Sequence, residues 1–413
     1  MVHRRKALVG LLVILMAGAC LGADWPQWWG PNRDGCSTET GLLKAWPQGG
    51  PKLLWRSDGL GAGFSTLAIV GDRIYTTGDK GSSNYVHALA LDGGKILWST
   101  KLGKAGAPGW GGFTGPRSTP TIDGDLLYVI GQYGELVCLK TADGAEVWRK
   151  HLSEDFGGKL PEWGFSESVL VDGDQAICTP GGPQGAIVAL NKRTGKLLWQ
   201  TKGITDEAHY SSIVCAEIDG VKQYIQLTAD GVYGVGTDGT VLWRAARKGE
   251  VAVIPTPVVK GNTVYISSGY GIKSSLFEIT RTGGTFGAKQ VYSERSITNH
   301  HGGVLRVGDY VYGYCDRGGW TCQEMATGKV AWAEKKQIGK GSLTYADGRL
   351  YLRAEDDGVV GLIEASPAGY KETGRFVQPD FGKPKTWPHP VICGKKLYLR
   401  DQDNLFCYDV AAR

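Results

Sequence analysis

Past residue 23 the sequence has no apolar run long enough to cross a bilayer as a helix. It has no cluster of lysine and arginine that would grip a phosphate backbone, so nucleic acid is not an expected partner. It has no C-x-x-C, which removes the zinc knuckle and the thioredoxin-type redox site. G-x-S-x-G, Walker A and H-E-x-x-H are all missing, and with them the common hydrolase, P-loop and zincin readings. No two cysteines are adjacent. Neither a catalytic set nor a metal site is expected from these residues.

What the chain does have begins at its start. His3, Arg4, Arg5 and Lys6 precede a short apolar run from Ala7 to Ala19, and small residues follow. That is the layout of a secretory signal peptide, with cleavage after Ala19 or Ala23. Cys20 behind Ala17-Gly18-Ala19 also allows a lipid anchor, although the large aliphatic residue such a signal favours is absent. Removing Arg4, Arg5 and Lys6 takes the formal net charge from +5 to +2, so the basicity is partly targeting. The product is expected in the periplasm or outside the cell, as a monomer without a membrane span. Of the nine cysteines, Cys315 and Cys322 flank a hairpin and are placed to face each other across it. The others fall singly on expected strands, as free buried thiols do.

Glycine makes up 63 of 413 residues, about twice the usual share of roughly 7%. Fourteen tryptophans accompany it. They are linked: G-x-x-x-W occurs at Gly94/Trp98, Gly144/Trp148, Gly195/Trp199, Gly239/Trp243 and Gly328/Trp332. Trp55 ends KLLW without the glycine, and Tyr292 and Phe376 fill the remaining register positions. The eight positions are spaced by 40 to 51 residues. A second element keeps the same register, an apolar strand, a Gly-Asp-like turn and a second strand, as in PTIDGDLLYVIG and PVVKGNTVYISSG. Such turns supply the positive φ of tight hairpins. Four short strands repeated at this period form a propeller blade.

The reading is therefore all-β: an eight-bladed propeller of four-stranded blades, with the tryptophan strand outermost and its ring filling the wedge between neighbours. The last unit lacks its outer strand, and Lys52 to Trp55 is a lone outer strand. Pairing the two closes the ring and removes the open edge. Residues 1–23 form the signal, 24–51 an N-terminal extension and 52–410 a single propeller. Trp55, Trp98, Trp148, Trp199, Trp243 and Trp332 are structural. The G-x-G-x-x-G at Gly234–Gly239 is followed by a strand and reads as a hairpin turn, not a dinucleotide site. Asp401 and Asp403 suit a hairpin tip, and Glu355 to Asp357 a solvated turn.

The motif, clearest in ALNKRTGKLLW, resembles the repeat of the pyrroloquinoline-quinone (PQQ)-type eight-bladed propellers, over roughly residues 50–410. That family holds quinoprotein dehydrogenases and also non-enzymatic scaffolds, such as the propeller lipoprotein of outer-membrane β-barrel assembly. DWPQWWGPNRDG resembles the leader of many exported propellers of this type.

Loops entering the innermost strands crowd one mouth of a propeller channel. They carry Arg117, Trp163, Glu167, His209, Tyr210, Asn299, His300, His301, Trp387 and His389, including four of the six histidines beyond the signal. Gathered on one face, they are the expected binding residues. The plainer readings are that Arg117 bonds wall carbonyls or pairs with Glu167, and that Trp163 and Trp387 plug the channel. His300 and His301 are neighbours, so on a strand they would face opposite ways and would not share a metal. Two functions fit. One is a binding or scaffold protein of the cell envelope, with an envelope protein or a small anionic ligand at the mouth. The other is a PQQ- and calcium-dependent dehydrogenase of alcohols or sugars. The resemblance implies for the second a calcium held by Glu, Asn and Asp, and often an adjacent Cys-Cys pair. Glu167, Asn299 and Arg117 would be its remnants; the first reading is favoured.

Overall fold

A computed structural model describes residues 24–109, 113–381 and 385–413. The signal and Cys20 lie outside the described residues. Eight sheets of four antiparallel strands follow one another along the chain and form the blades of a propeller. Their innermost strands are Ala68–Val70 (blade 1), Thr121–Asp123 (blade 2), Leu170–Asp172 (blade 3) and Val214–Ile218 (blade 4). Val258–Lys260 (blade 5), Val304–Val307 (blade 6), Gly341–Ala346 (blade 7) and Val391–Cys393 (blade 8) complete the ring. Blade 8 takes its outer strand from the other end of the chain: Lys52–Ser57 pairs antiparallel with Asn404–Asp409, Lys52 opposite Asp409. Blade 7 gains a short parallel strand, Cys36–Ser37, on its inner edge.

There is no single core. The buried apolar residues fall into eight clusters, each shared by two adjacent blades. Each blade thus buries its faces against its neighbours, as solenoid repeats do. No helix among the described residues is long and apolar enough to cross a membrane.

The repeated pair has a geometric cause that spacing did not show. Each glycine packs against the aromatic ring of the preceding blade. A Cβ on Gly94 would stand 2.6 Å from Trp55, one on Gly239 would stand 2.7 Å from Trp199, and one on Gly328 would stand 3.2 Å from Tyr292. These glycines also have φ of 67°, 86° and 77°. Trp98, Trp148 and Trp332 donate Nε1–H to Thr141, Lys192 and Ser366 carbonyls of the next blade, which fixes the wedge. Trp55 does have a glycine partner of this kind behind it: Gly50 (φ 91°) lies against Phe376, with a virtual Cβ at 2.5 Å. Trp243 departs from the pattern, because blade 5 offers a long hairpin without the glycine. Its Nε1 donates instead to Gln223 of its own blade, at 2.6 Å. Only Trp148 and Trp243 of the six repeat tryptophans are buried; the other four are half-buried.

The expected Cys315–Cys322 pairing does not form. The hairpin register sets Cys315 opposite Gly319 and Cys322 opposite Tyr312, and both thiols are free. None of the eight described cysteines is in a disulfide; six are buried, Cys36 is half-buried and Cys215 is exposed.

Candidate functional site

The N-terminal extension closes one end of the channel. It runs under the exit ends of the innermost strands and is bonded to several blades. Trp25 exchanges two backbone hydrogen bonds of 2.8 Å with Ile69 of blade 1, and Pro26 accepts from Ile122 of blade 2. Arg33 donates to the Val169 and Ser168 carbonyls at 2.9 and 2.6 Å where the chain enters blade 3. Glu39 accepts from the backbone of Gly394 and Lys395 in blade 8. Trp28 and Trp29, stacked 5.6 Å apart at 8°, rise into the channel. Trp29 Nε1 donates to His389 Nδ1 at 2.8 Å, and Trp28 Nε1 to Thr256 Oγ1 at 3.1 Å. With Nδ1 accepting, His389 Nε2–H is left to donate to the His301 carbonyl at 3.3 Å. Burial holds His389 neutral and pushes its pKa down to about 3. The plug is made by Trp28 and Trp29, not by Trp163 or Trp387.

Above this floor is a cavity of about 450 Å³ to which all eight entry loops contribute side chains. Seven of the ten expected residues line it: Arg117, Trp163, Tyr210, His300, His301, Trp387 and His389. One wall is aromatic. Trp387 packs on Phe64 at 4.4 Å and on Phe113 at 4.9 Å between ring centres. The Arg117 guanidinium lies over the Phe64 ring at 5.2 Å and 6.0 Å from Trp387. Trp163 and Tyr210 form a second aromatic pair at 5.9 Å. Arg117 Nη1 donates to the carbonyls of Gly115 and Trp163, and Nη2 to that of Phe113. Burial lowers its pKa to about 10, so it stays a cation at neutral pH. It forms no ion pair with Glu167.

The rim opposite is a polar relay. Lys340 Nζ donates to His300 Nδ1 at 3.0 Å, so His300 Nε2–H donates to the Tyr270 hydroxyl at 2.9 Å. Burial, then the charges of His301 and Lys340, lower the His300 pKa to about 3. Lys340 also pairs with Asp316 at 2.8 Å. His301 Nε2 and Trp387 Nε1 converge on Glu355 Oε2, at 2.6 and 2.8 Å. Burial opposes ionisation of Glu355, but the hydrogen bond and charge of His301 prevail and hold it down to about 2. Glu355 is therefore a buried member of the site and not part of a solvated turn, while Asp356 and Asp357 are exposed. Lys385 pairs with Asp356 at 2.5 Å and reaches Glu355 at 3.4 Å.

Three of the expected residues stand behind the cavity. Glu167 is buried and accepts from Thr179 N at 2.6 Å, Thr179 Oγ1 at 3.2 Å and Gln226 Nε2 at 3.4 Å. Burial raises its pKa to about 7, and the charge acting on it is that of Arg33. Asn299 joins Tyr314 O to Gly303 N and so ties the loop that carries both histidines. His209 accepts from Val253 N in a separate cleft with Asp206, Asp230 and Lys248. Glu167, Asn299 and Arg117 are thus not brought together as a calcium set. Among the described residues no group of three His, Cys, Asp or Glu side chains is arranged to hold a metal. Sequence reasoning missed Trp28, Phe64, Phe113, Tyr270, Lys340 and Glu355. Phe64 and Lys340 sit in loops whose position was legible, and the WW of the extension was the available signal for Trp28.

The model of the family described as outer membrane protein assembly factor BamB matches residues 82–334. The chain belongs to this family. The BamB of Burkholderia pseudomallei is 26% identical over 252 residues, covering 51% of this chain and 62% of the relative's length. That of Salmonella typhimurium is 23% identical over 363 residues, covering 76% of this chain and 88% of the relative. Among solved structures, BamB from Moraxella catarrhalis superposes with a TM-score of 0.62 at 15% identity, over 87% of this chain and 97% of that one. The quinohemoprotein alcohol dehydrogenase of Comamonas testosteroni reaches 0.66 at 12% identity, over 95% and 81%. At these identities the two structures share the fold alone.

Proposed function

We propose that this chain is an exported scaffold of the cell envelope, an assembly factor of the kind its family is named for, and that the plugged channel makes its loop-bearing mouth a docking face. The observation that supports this most is the convergence of all eight entry loops on one cavity whose other end is closed. A closed channel presents a concave receptor, and concave, largely apolar pockets with a few placed polar groups are where ligands bind. Residues 1–23 would direct export, 24–51 would form the plug and 52–410 the propeller. Arg117, Trp163, Tyr210, His300, His301, Trp387 and His389 are proposed to meet the partner or shape the surface that does. Glu167, His209 and Asn299 support their loops.

The dehydrogenase alternative asks Glu167 and Asn299 for a calcium ion, and the oxygens of both already accept from this chain's own donors. Affinity purification after cross-linking in envelope fractions tests the proposal. Outer-membrane assembly proteins are expected with the unaltered chain and less of them with Arg117→Ala/His300→Ala. Recovery in the cytoplasmic fraction, or equal recovery of partners by the folded double variant, would overturn it. So would dye reduction that depends on added quinone and calcium.

A further inference from the structure

The charge balance of the mouth identifies what a small ligand there must be. Besides His301, which pairs with Glu355, three lysine and arginine side chains line the cavity: Arg117, Lys340 and Lys385. Two are matched by carboxylates, Lys340 by Asp316 and Lys385 by Asp356 and Glu355. Arg117 makes no ion pair among the described residues. Its Nη1 gives both protons to carbonyls and its Nη2 gives one. A guanidinium has five N–H donors. Nε–H and one Nη2–H therefore remain as donors of the charge-assisted kind that a carboxylate accepts.

The donor set extends beyond Arg117. The Tyr210 hydroxyl accepts from Trp163 N at 3.3 Å, so its own proton is free. The backbone of Trp163 ties the two groups together, its carbonyl accepting from Arg117 Nη1 and its N–H donating to the Tyr210 hydroxyl. The acceptor in the cavity, Glu355, is already engaged by His301, Trp387 and Lys385. What the cavity leaves open is one cation without an ion pair, donors on Arg117 and Tyr210, and aromatic walls from Phe64, Trp387, Trp163 and Tyr210. The charge of Asp79 acts on Arg117 without a direct ion pair, and an incoming anion would supply that missing contact.

We propose that this cavity is a binding site for a small organic monocarboxylate carried on a flat ring of one or two fused cycles, with the carboxylate on the free edge of Arg117 and the Tyr210 hydroxyl and the ring between the two aromatic walls. A single charge follows from the single unmatched cation. The ring follows from the walls, and its size from the cavity of about 450 Å³. This rests on the mouth being a binding face, as in the proposed function, but it names a different occupant.

The test uses the whole exported protein and three compounds. 2-Naphthoate has the ring and the charge, 2-naphthalenemethanol has the ring alone, and acetate has the charge alone. Titration followed by tryptophan fluorescence and calorimetry is expected to show saturable binding of 2-naphthoate. The alcohol should bind about tenfold or more weakly, since a charge-assisted contact is lost, and acetate should fail to compete at equal concentration. Arg117→Gln should weaken naphthoate by a similar factor and Tyr210→Phe by less, both without a change in melting temperature. Equal affinity for acid and alcohol would overturn the proposal, as would undiminished binding in folded Arg117→Gln, or no saturable binding of 2-naphthoate, benzoate or indole-3-acetate. Should Arg117→Gln disturb the loops whose carbonyls it bonds, the acid-against-alcohol comparison on the unaltered protein decides. Failure here leaves the recovery of envelope partners untouched, so the two proposals fall separately.

Discussion

Gly195 of blade 3 lies against the indole of Trp148 of blade 2 so closely that a Cβ would stand 2.8 Å from Cδ2. Its φ is 68°. Alanine there must adopt a left-handed conformation and also push the ring out of its wedge. Gly195→Ala is expected to cost about 2–4 kcal/mol, the sum of the left-handed penalty and an overpacking term. Gly173→Ala is the control. Gly173 has φ of 55° and nothing within 4 Å of its virtual Cβ, so only the conformational part of about 1–2 kcal/mol remains. Urea unfolding of both variants checks the difference, and equal costs would show that the inter-blade contact carries no energy.

The repeat tryptophans should not be equivalent. Trp148 is 8% exposed and belongs to the cluster between blades 2 and 3. Trp148→Ala is expected to cost about 3–5 kcal/mol. Trp199 is half-buried, and Trp199→Ala should cost clearly less, about 2 kcal/mol, because part of its ring area already meets water. Denaturant midpoints for the pair decide whether burial, and not the motif itself, sets the energy.

Ring closure predicts a strong effect at the N-terminus. A chain shortened to begin after Gly61 loses Lys52–Ser57 and leaves Asn404–Asp409 as an open edge. Its melting temperature should fall markedly and aggregation should rise. An unchanged melting curve would contradict the closure. Trp28→Ala with Trp29→Ala, which keeps the strand and removes the plug, should destabilise less and should open the channel to solvent, seen as faster amide exchange at the innermost strands.

Acid should unfold the protein through its neutral histidines. His300 and His389 are held near pKa 3 against an ordinary 6.5. Folded pKa values below the unfolded one mean that the unfolded chain binds more protons in this window, so stability is lost as pH falls from about 6.5 toward 3. Glu355, held near 2 against 4.5, adds to the loss below pH 4.5. Glu167, raised to about 7, acts with the opposite sign, since its folded form binds the proton more tightly between pH 4.5 and 7. His389→Gln, which retains an acceptor for Trp29, should flatten the decline, and Glu167→Gln should steepen it. Stability measured against pH for the three proteins checks both signs.

The blades were legible because everything that makes a blade is local. Alternating apolar strands, turn glycines and the GKLLW register lie within a few dozen residues of one another, and the closing strand followed from counting. The plug was not legible, because its bonds run to scattered blades and follow no repeating register. Trp29 finds His389 across 360 positions, and Arg33 finds Ser168 across 135. Glu355 was misread for a related reason. In sequence it opens an acidic run, and acidic runs are usually solvated. What buries it are His301 and Trp387, 54 and 32 residues away. Glu167 and Asn299 were placed on the right loops, but the loop residue alone does not say whether a side chain faces the cavity or turns back to hold its own backbone.

The plug and the closing strand share one stretch of chain, and that sets an order on how the molecule is made. Residues 24–57 are synthesised before any blade is complete, yet their partners include Gly394, Lys395 and the strand Asn404–Asp409 at the far end. Trp25, Pro26 and Arg33 find their partners in the first three blades, but Glu39 and Lys52–Ser57 must wait for the last one. Contacts of such long sequence separation form late and slowly. The nascent propeller therefore passes through an open, horseshoe-like stage whose two exposed flanks are matched to each other. Only arrival of the last strands lets Lys52–Ser57 latch the ring shut.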